Sequence, residues 1–350
     1  KSSLKKKEIT VLAYLALFIS FYFVLGISDN ISSDNPTADL IYLLNYFIKF
    51  IFGFLLVFSL INIIEDVGDV RTFFNICSAI IVMTVAYLAW KYLVVYELDY
   101  IGVIVDDSLR GAKTFKNSLA TSLTLITPFI LVGVFQKGPS KYLCYLGLLA
   151  ILFFLFWVNS RSSIIILGIE LLVFMFLSKS KKIKQALKYS SLIFIAVLLV
   201  SGISLNDWLK KSGEFSDSGF NLIVTKSLLE THRGWLLVEA IDGSLDASGL
   251  GNGMSTFRIR PTNLGSRTET HNDYSLLLYE QGLIGVFLFS YLIIWRALLA
   301  IRYSRLTGER FLEASGSSLF GLLFALMFVN IIHTSTFWFY IGINFALLRI

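Results

Sequence analysis

The chain has 350 residues, 56% of them hydrophobic and only 15% charged, with a mean hydropathy of +0.73; soluble domains carry about 25% charge, so that class is excluded. Its formal charge of +6 would point to nucleic acid in a soluble protein, but lysine-rich loops beside membrane spans account for it, and no nucleic-acid partner is expected. Cys77 and Cys144 sit in separate apolar runs, a pattern of packing residues and not of a disulfide framework or thiolate metal site.

Helices crossing a bilayer of about 30 Å need roughly 17 to 25 apolar residues. Such runs, two of them short, fall at 10–28, 40–64, 73–96, 119–136, 142–158, 162–177, 190–203, 276–301, 317–332 and 337–350. Nothing alternates like a barrel strand, and backbone polar groups in lipid must be satisfied within each segment. The expected fold is therefore an all-α polytopic membrane protein of about ten transmembrane helices.

Basic residues in short loops set the orientation. Lys5, Lys6 and Lys7, the five lysines of KSKKIKQALK, and Arg302, Arg305 and Arg310 should all be cytoplasmic, and ten spans put these segments on one side by parity alone. The segment 205–272 then faces outward as one large loop inserted between the seventh and eighth spans of a single domain, 1–350. Parity also gathers Arg110, Arg161, Arg233, Arg258, Arg260, Arg267 and the three histidines at the outer face. Within the loop, spaced apolar residues over 222–241 predict a surface helix, which Gly243 and the run Gly249, Gly251 and Gly253 should end. Those glycines follow no strand, so a turn acting as the hinge of a lid is expected in place of a dinucleotide fingerprint.

Several side chains are candidates for chemistry. Arg161 stands in FWVNSRSSIII at a tight outward turn, where a guanidinium serves either a phosphate ligand or the lipid headgroups by snorkelling. Arg110 and Arg233 each precede a glycine that lets backbone approach a ligand, although a solvated loop arginine has the same appearance. His271, ahead of Asn272 and Asp273 at the start of the eighth span, has the pKa of a general base. His232 and His333 are weaker candidates on the same ground. No His-x-x-x-His or Cys-x-x-Cys spacing favours zinc. Lys49 and Glu170 fall inside expected spans and are natural partners for one another.

Taken together, SLRGAKTFKNSLA, NSRSSIIILGI, HRGWLLVEAI followed by GLGNG, and THNDYSLLLYEQGLIGVFLF resemble the O-antigen ligase and polymerase superfamily over 110–285. The resemblance implies a GT-C-like membrane glycosyltransferase of the cell envelope that uses an undecaprenyl-diphosphate-linked glycan without metal or cofactor. His271 would be the catalytic residue, Arg161, Arg233 and Arg110 the diphosphate-binding arginines, and Asn272, Asp273, Arg258 and Arg260 their support. The acceptor would be a lipid A core in a ligase of lipopolysaccharide biosynthesis, or a second lipid-linked repeat unit in a polymerase. The site would lie on the periplasmic face of the bacterial inner membrane. About twelve spans are usual in that family, so two further helices would be expected before Lys1. A transporter for the same lipid-linked glycan is the competing class.

Overall fold

A computed structural model describes residues 2–91, 110–158, 160–179, 181, 184–185, 232–259, 270 and 272–350, without the side chains of 2–7, 110–117, 161 and 232–233. The expected seventh span, 190–203, lies outside the described residues. Eleven helices and no strand are found among those described: α1 (Ser2–Ile31), α2 (Pro36–Ile63), α3 (Val67–Ala89), α4 (Arg110–Val134), α5 (Ser140–Val158), α6 (Arg161–Leu177), α7 (His232–Asp246), α8 (Thr256–Ile259), α9 (Asp273–Thr307), α10 (Arg310–Ala325) and α11 (Ser335–Arg349).

Five stretches are long and apolar enough to cross a membrane: Glu8–Ile31, Pro36–Ile63, Val67–Ala89, Ser140–Val158 and Asp273–Thr307. Ser118–Val134 and Ser162–Leu177 are shorter apolar helices. Such a composition makes the chain a multi-pass, all-α membrane protein. Local chemistry sets the helix ends. Asn35 accepts from the Ala38 N–H ahead of Pro36, Asp66 and Asp69 close a capping box on α3, and Gly308 ends α9 in the left-handed region.

Helices α10 and α11 are apolar or small on nearly every side and buried almost throughout, the mark of a central element. Around them pack α2, α4, α6 and α9, with α3 and α5 outside α4 and α1 outside α2. Peripheral helices turn large apolar side chains outward, among them Phe52, Met83, Phe176 and Phe287, where lipid replaces a protein partner.

Side-chain contacts distinguish the two ends of the bundle. At one end the backbone N–H of Lys179 donates to Glu313 Oε1 at 3.3 Å and its ammonium to the Arg305 carbonyl at 2.8 Å, so the two basic loops meet. The Arg349 guanidinium reaches the Ile61 carbonyl at the same end. The opposite end collects the N-termini of α6, α9 and α11.

Three expectations are corrected. The ninth span, expected at 317–332, is a helix shifted to Arg310–Ala325. The apolar residues after it form turns, because the N–H groups of Ile331 and Ile332 are bound by Asp273 and not by helix carbonyls. Lys49 and Glu170 do not pair: Glu170 is buried on α6 against Gly321, whereas Lys49 is exposed on α2 beside Tyr46. Gly243 does not end a helix. It lies inside α7, which stops in a Schellman motif whose Gly249 N–H donates to Ser244 O at 2.7 Å and Ser248 N–H to Leu245 O at 2.8 Å.

Candidate functional site

The site is built on the first turn of α9. Asn272 caps it, its Oδ1 accepting from the N–H of Tyr274 at 2.9 Å and of Ser275 at 3.3 Å. Asp273 is fully buried, and its Oδ2 accepts from the N–H groups of Ile331 at 2.6 Å and Ile332 at 2.9 Å, while its own N–H donates to Leu326 O at 2.8 Å. One carboxylate therefore clasps the α10–α11 connection to the head of α9 with charge-assisted bonds. Thr270 Oγ1 lies 2.8 Å from Asn272 O and 3.3 Å from Asn330 Oδ1. His271 and Arg260 lie outside the described residues, but both chain neighbours of His271 are held by this clasp.

The backbones of Arg110, Arg161 and Arg233 stand in the first turns of α4, α6 and α7; their side chains lie outside the described residues. Buried hydroxyls tie the first two of these helices together. Ser163 Oγ is 2.9 Å from Ser160 Oγ and 3.3 Å from Thr121 Oγ1, and Ser122 Oγ is 2.8 Å from Thr336 Oγ1 on α11. Tyr340 OH donates to Ser122 O at 2.9 Å. The α6, α9 and α11 N-termini thus share one layer of the protein, each presenting the positive end of its peptide dipoles. Beneath that layer, α2, α3, α4 and α11 line an open groove of about 280 Å³ with apolar walls including Leu56, Ile80, Leu123 and Phe339, and with Ser122 and Thr336 at its polar end.

A second cluster, unforeseen from sequence, runs down α2. The Arg258 guanidinium lies 3.9 Å from the Tyr42 ring centre, Tyr42 and Tyr46 are 5.6 Å apart, and the Lys49 ammonium is 6.0 Å from the Tyr46 ring. His333 packs against Tyr46 at 4.2 Å and is buried. Burial first, and the nearby Lys49 charge second, push the His333 imidazole down to about 3. The structure places His333 as a buried side chain packed on Tyr46, beside Asp273's contacts to Ile331 and Ile332. The spacing of Tyr42, Tyr46 and Lys49 at i, i+4 and i+7 was the available signal for one helix face.

The glycine run is no free hinge. Gly251 and Gly253 have φ of +87° and +99°, and a Cβ on either would stand 2.5 Å from backbone of α9 or α1. This docking repairs a break in α9 at Gly282, whose φ of 65° and ψ of −166° interrupt the helix. The Tyr279 and Glu280 carbonyls accept from Asn252 N–H at 3.0 Å and Gly253 N–H at 2.9 Å, and Leu283 N–H donates to Gly249 O at 3.0 Å. On the other side Met254 N–H donates to Tyr22 O and Tyr22 OH to Leu250 O. The segment is a wedge between α1 and α9, and the close approach explains why only glycine fits.

No protein-family model and no curated protein matches the chain.

Proposed function

We propose that the chain is a membrane glycosyltransferase resembling the O-antigen ligases, which moves a glycan from an undecaprenyl-diphosphate carrier to a lipid A core or similar acceptor. The observation that carries this reading is the joining of the α9 head, bordering His271, to the layer that holds the heads of α6 and α11. In the proposed step the acceptor oxygen bonds to the anomeric carbon as that carbon's bond to the diphosphate oxygen breaks. His271 takes the acceptor proton, and Arg161, Arg233 and Arg110 neutralise the departing diphosphate. Metal and nucleotide are dispensable because the donor brings its own leaving group. The open apolar groove beneath the hydroxyl layer offers space for part of the lipid. A GT-C-like arrangement of about ten spans, with the site on the periplasmic side of the inner membrane, belongs to the same proposal.

The test uses purified lipid-linked glycan and the reconstituted chain. Replacing His271 with Ala should lower transfer by on the order of a hundredfold or more while leaving insertion intact; wild-type turnover in that variant would remove the base. Product ladders formed without any core acceptor would reassign the enzyme as a polymerase joining repeat units, since the same donor site serves both reactions. Lipid-linked glycan moved across the bilayer with no transfer in wild type or variant would favour the transporter.

A further inference from the structure

The wedge of 249–254 and the short helix α8 touch three helices at one level. Gly253 lies against Gly26 of α1, Gly251 against Gly282 of α9, and the Arg258 guanidinium against the Tyr42 ring of α2. Each contact is nineteen or twenty residues along its helix from the basic end of the bundle, counted from Lys7 on α1, from Arg302 on α9, and on α2 from Ile61, whose carbonyl the Arg349 guanidinium reaches. That length of helix is about 30 Å, the thickness of the hydrocarbon layer. The wedge therefore marks the lipid boundary opposite the basic end.

The surfaces of α1 and α9 change at the same level. Beyond Gly26 the exposed side chains of α1 pass from Phe21, Val24 and Leu25 to Ser28, Asp29 and Ser32, with Ile31 the exception. On α9 no residue from Asp273 to Gly282 is exposed, whereas Leu283, Ile284 and Phe287 turn outward after the break. Helix α7 packs on α9, runs into the wedge and is divided into three stripes. Leu236, Ala240 and Ser244 are buried against the protein. One residue on, Leu237, Ile241 and Leu245 are exposed and apolar; one residue further, Asp242 and Asp246 are exposed and acidic. Successive residues stand about 100° apart around a helix, so the stripes face three directions. Water all round would leave the apolar stripe without a partner, and lipid all round would strand the acids. Leu250 carries the apolar stripe on to Leu283, because the Gly249 carbonyl accepts from the Leu283 N–H.

We infer that α7 is seated in the lipid boundary opposite the basic end, with Leu237, Ile241, Leu245 and Leu250 among the acyl chains of that leaflet and Asp242 and Asp246 in water. The surface helix expected over 222–241 stops short of Leu245 and Leu250, and spacing gave neither its depth nor the side it turns to lipid. The partner is the bilayer as a surface, and no headgroup is selected. The seat rests on the reading of the chain as a membrane protein and not on glycosyl transfer.

The experiment places single cysteines in the full chain reconstituted in phosphatidylcholine nanodiscs. Ile241→Cys and Leu245→Cys probe the apolar stripe, Asp242→Cys and Asp246→Cys the acidic one, and Phe287→Cys on α9 is the lipid reference. Wild type, whose Cys77 and Cys144 lie in α3 and α5, sets the background. A thiol among acyl chains stays protonated, so a charged, water-soluble maleimide should modify the apolar-stripe variants about tenfold more slowly than the acidic-stripe ones. With bimane attached in detergent before reconstitution, phosphatidylcholine carrying a nitroxide on its acyl chain should quench Leu245→Cys as it does Phe287→Cys, and Asp246→Cys less. Equal maleimide rates on the two stripes overturn the seat. Slow labelling of Leu245→Cys without quenching by the lipid nitroxide also overturns it and assigns the stripe to a protein contact, such as a second copy of the chain. Quenching absent at Phe287→Cys as well would refute the membrane reading itself, whereas quenching at Phe287→Cys alone refutes only the seat of α7.

Discussion

Asp273 bonds two successive amides from another part of the chain, a geometry in which one side chain replaces the helical partners those amides lack. Removing it in Asp273→Ala leaves buried N–H groups unsatisfied and should lower stability by about 3 kcal/mol, read as a fall in thermal unfolding temperature in detergent. Asp273→Asn keeps an accepting oxygen and should cost less. His333 provides a pH test. Its folded pKa of about 3 lies below the ordinary 6.5, so the unfolded chain binds a proton over a range where the folded chain does not. Stability from this group is therefore full above about pH 6.5 and declines as pH falls toward 3, by about 2 kcal/mol at pH 5. His333→Phe should flatten that part of the stability profile, and an unchanged slope between pH 7 and pH 5 would contradict the burial argument.

At the scale of elements, the wedge of 249–254 and the break in α9 form one unit. Each explains the other: Gly282 frees carbonyls that the wedge amides need, and the wedge needs glycines because helix backbone lies against it. Gly251→Ala and Gly253→Ala combine a positive φ with overlap on backbone that cannot swing away, and should each destabilise by more than about 2 kcal/mol. Gly249→Ala meets only the Leu283 side chain at 3.6 Å, so its cost should be the conformational one alone, about 1 kcal/mol. Thermal unfolding of the three variants checks the ranking, and equal effects at all three would show that the wedge is not tightly docked.

Across the whole molecule, the end opposite the site is held by a buried ionic cluster. Arg296 Nη1 lies 3.3 Å from Glu8 Oε1, its Nε donates to Asn344 Oδ1 at 2.8 Å, and its guanidinium rests 3.6 Å from the Phe345 ring. Asn344 Nδ2 donates in turn to Ser315 Oγ at 2.7 Å, so α1, α9, α10 and α11 meet in one network. Arg296→Met strands the Glu8 carboxylate in the core and should cost about 3 kcal/mol or more. Adding Glu8→Gln to that variant should restore part of the loss. A double variant no more stable than Arg296→Met would mean that the pair contributes nothing as a pair.

Composition and the length of apolar runs determined the class of this protein, because lipid leaves a chain no spanning option but the helix for such segments. Nine of the ten expected runs overlap helices, and the meeting of two basic loops at one end follows the orientation that the charge pattern gives. Tertiary structure alone decided the rest. The ninth run stops early because a distant carboxylate captures its amides, Lys49 and Glu170 part because they lie on helices facing different neighbours, and the glycine run is a wedge because α1 and α9 close on it. Hydrophobic periodicity reports which residues avoid water; which partner a polar group finds depends on contacts between segments far apart in sequence, and no local pattern carries that information.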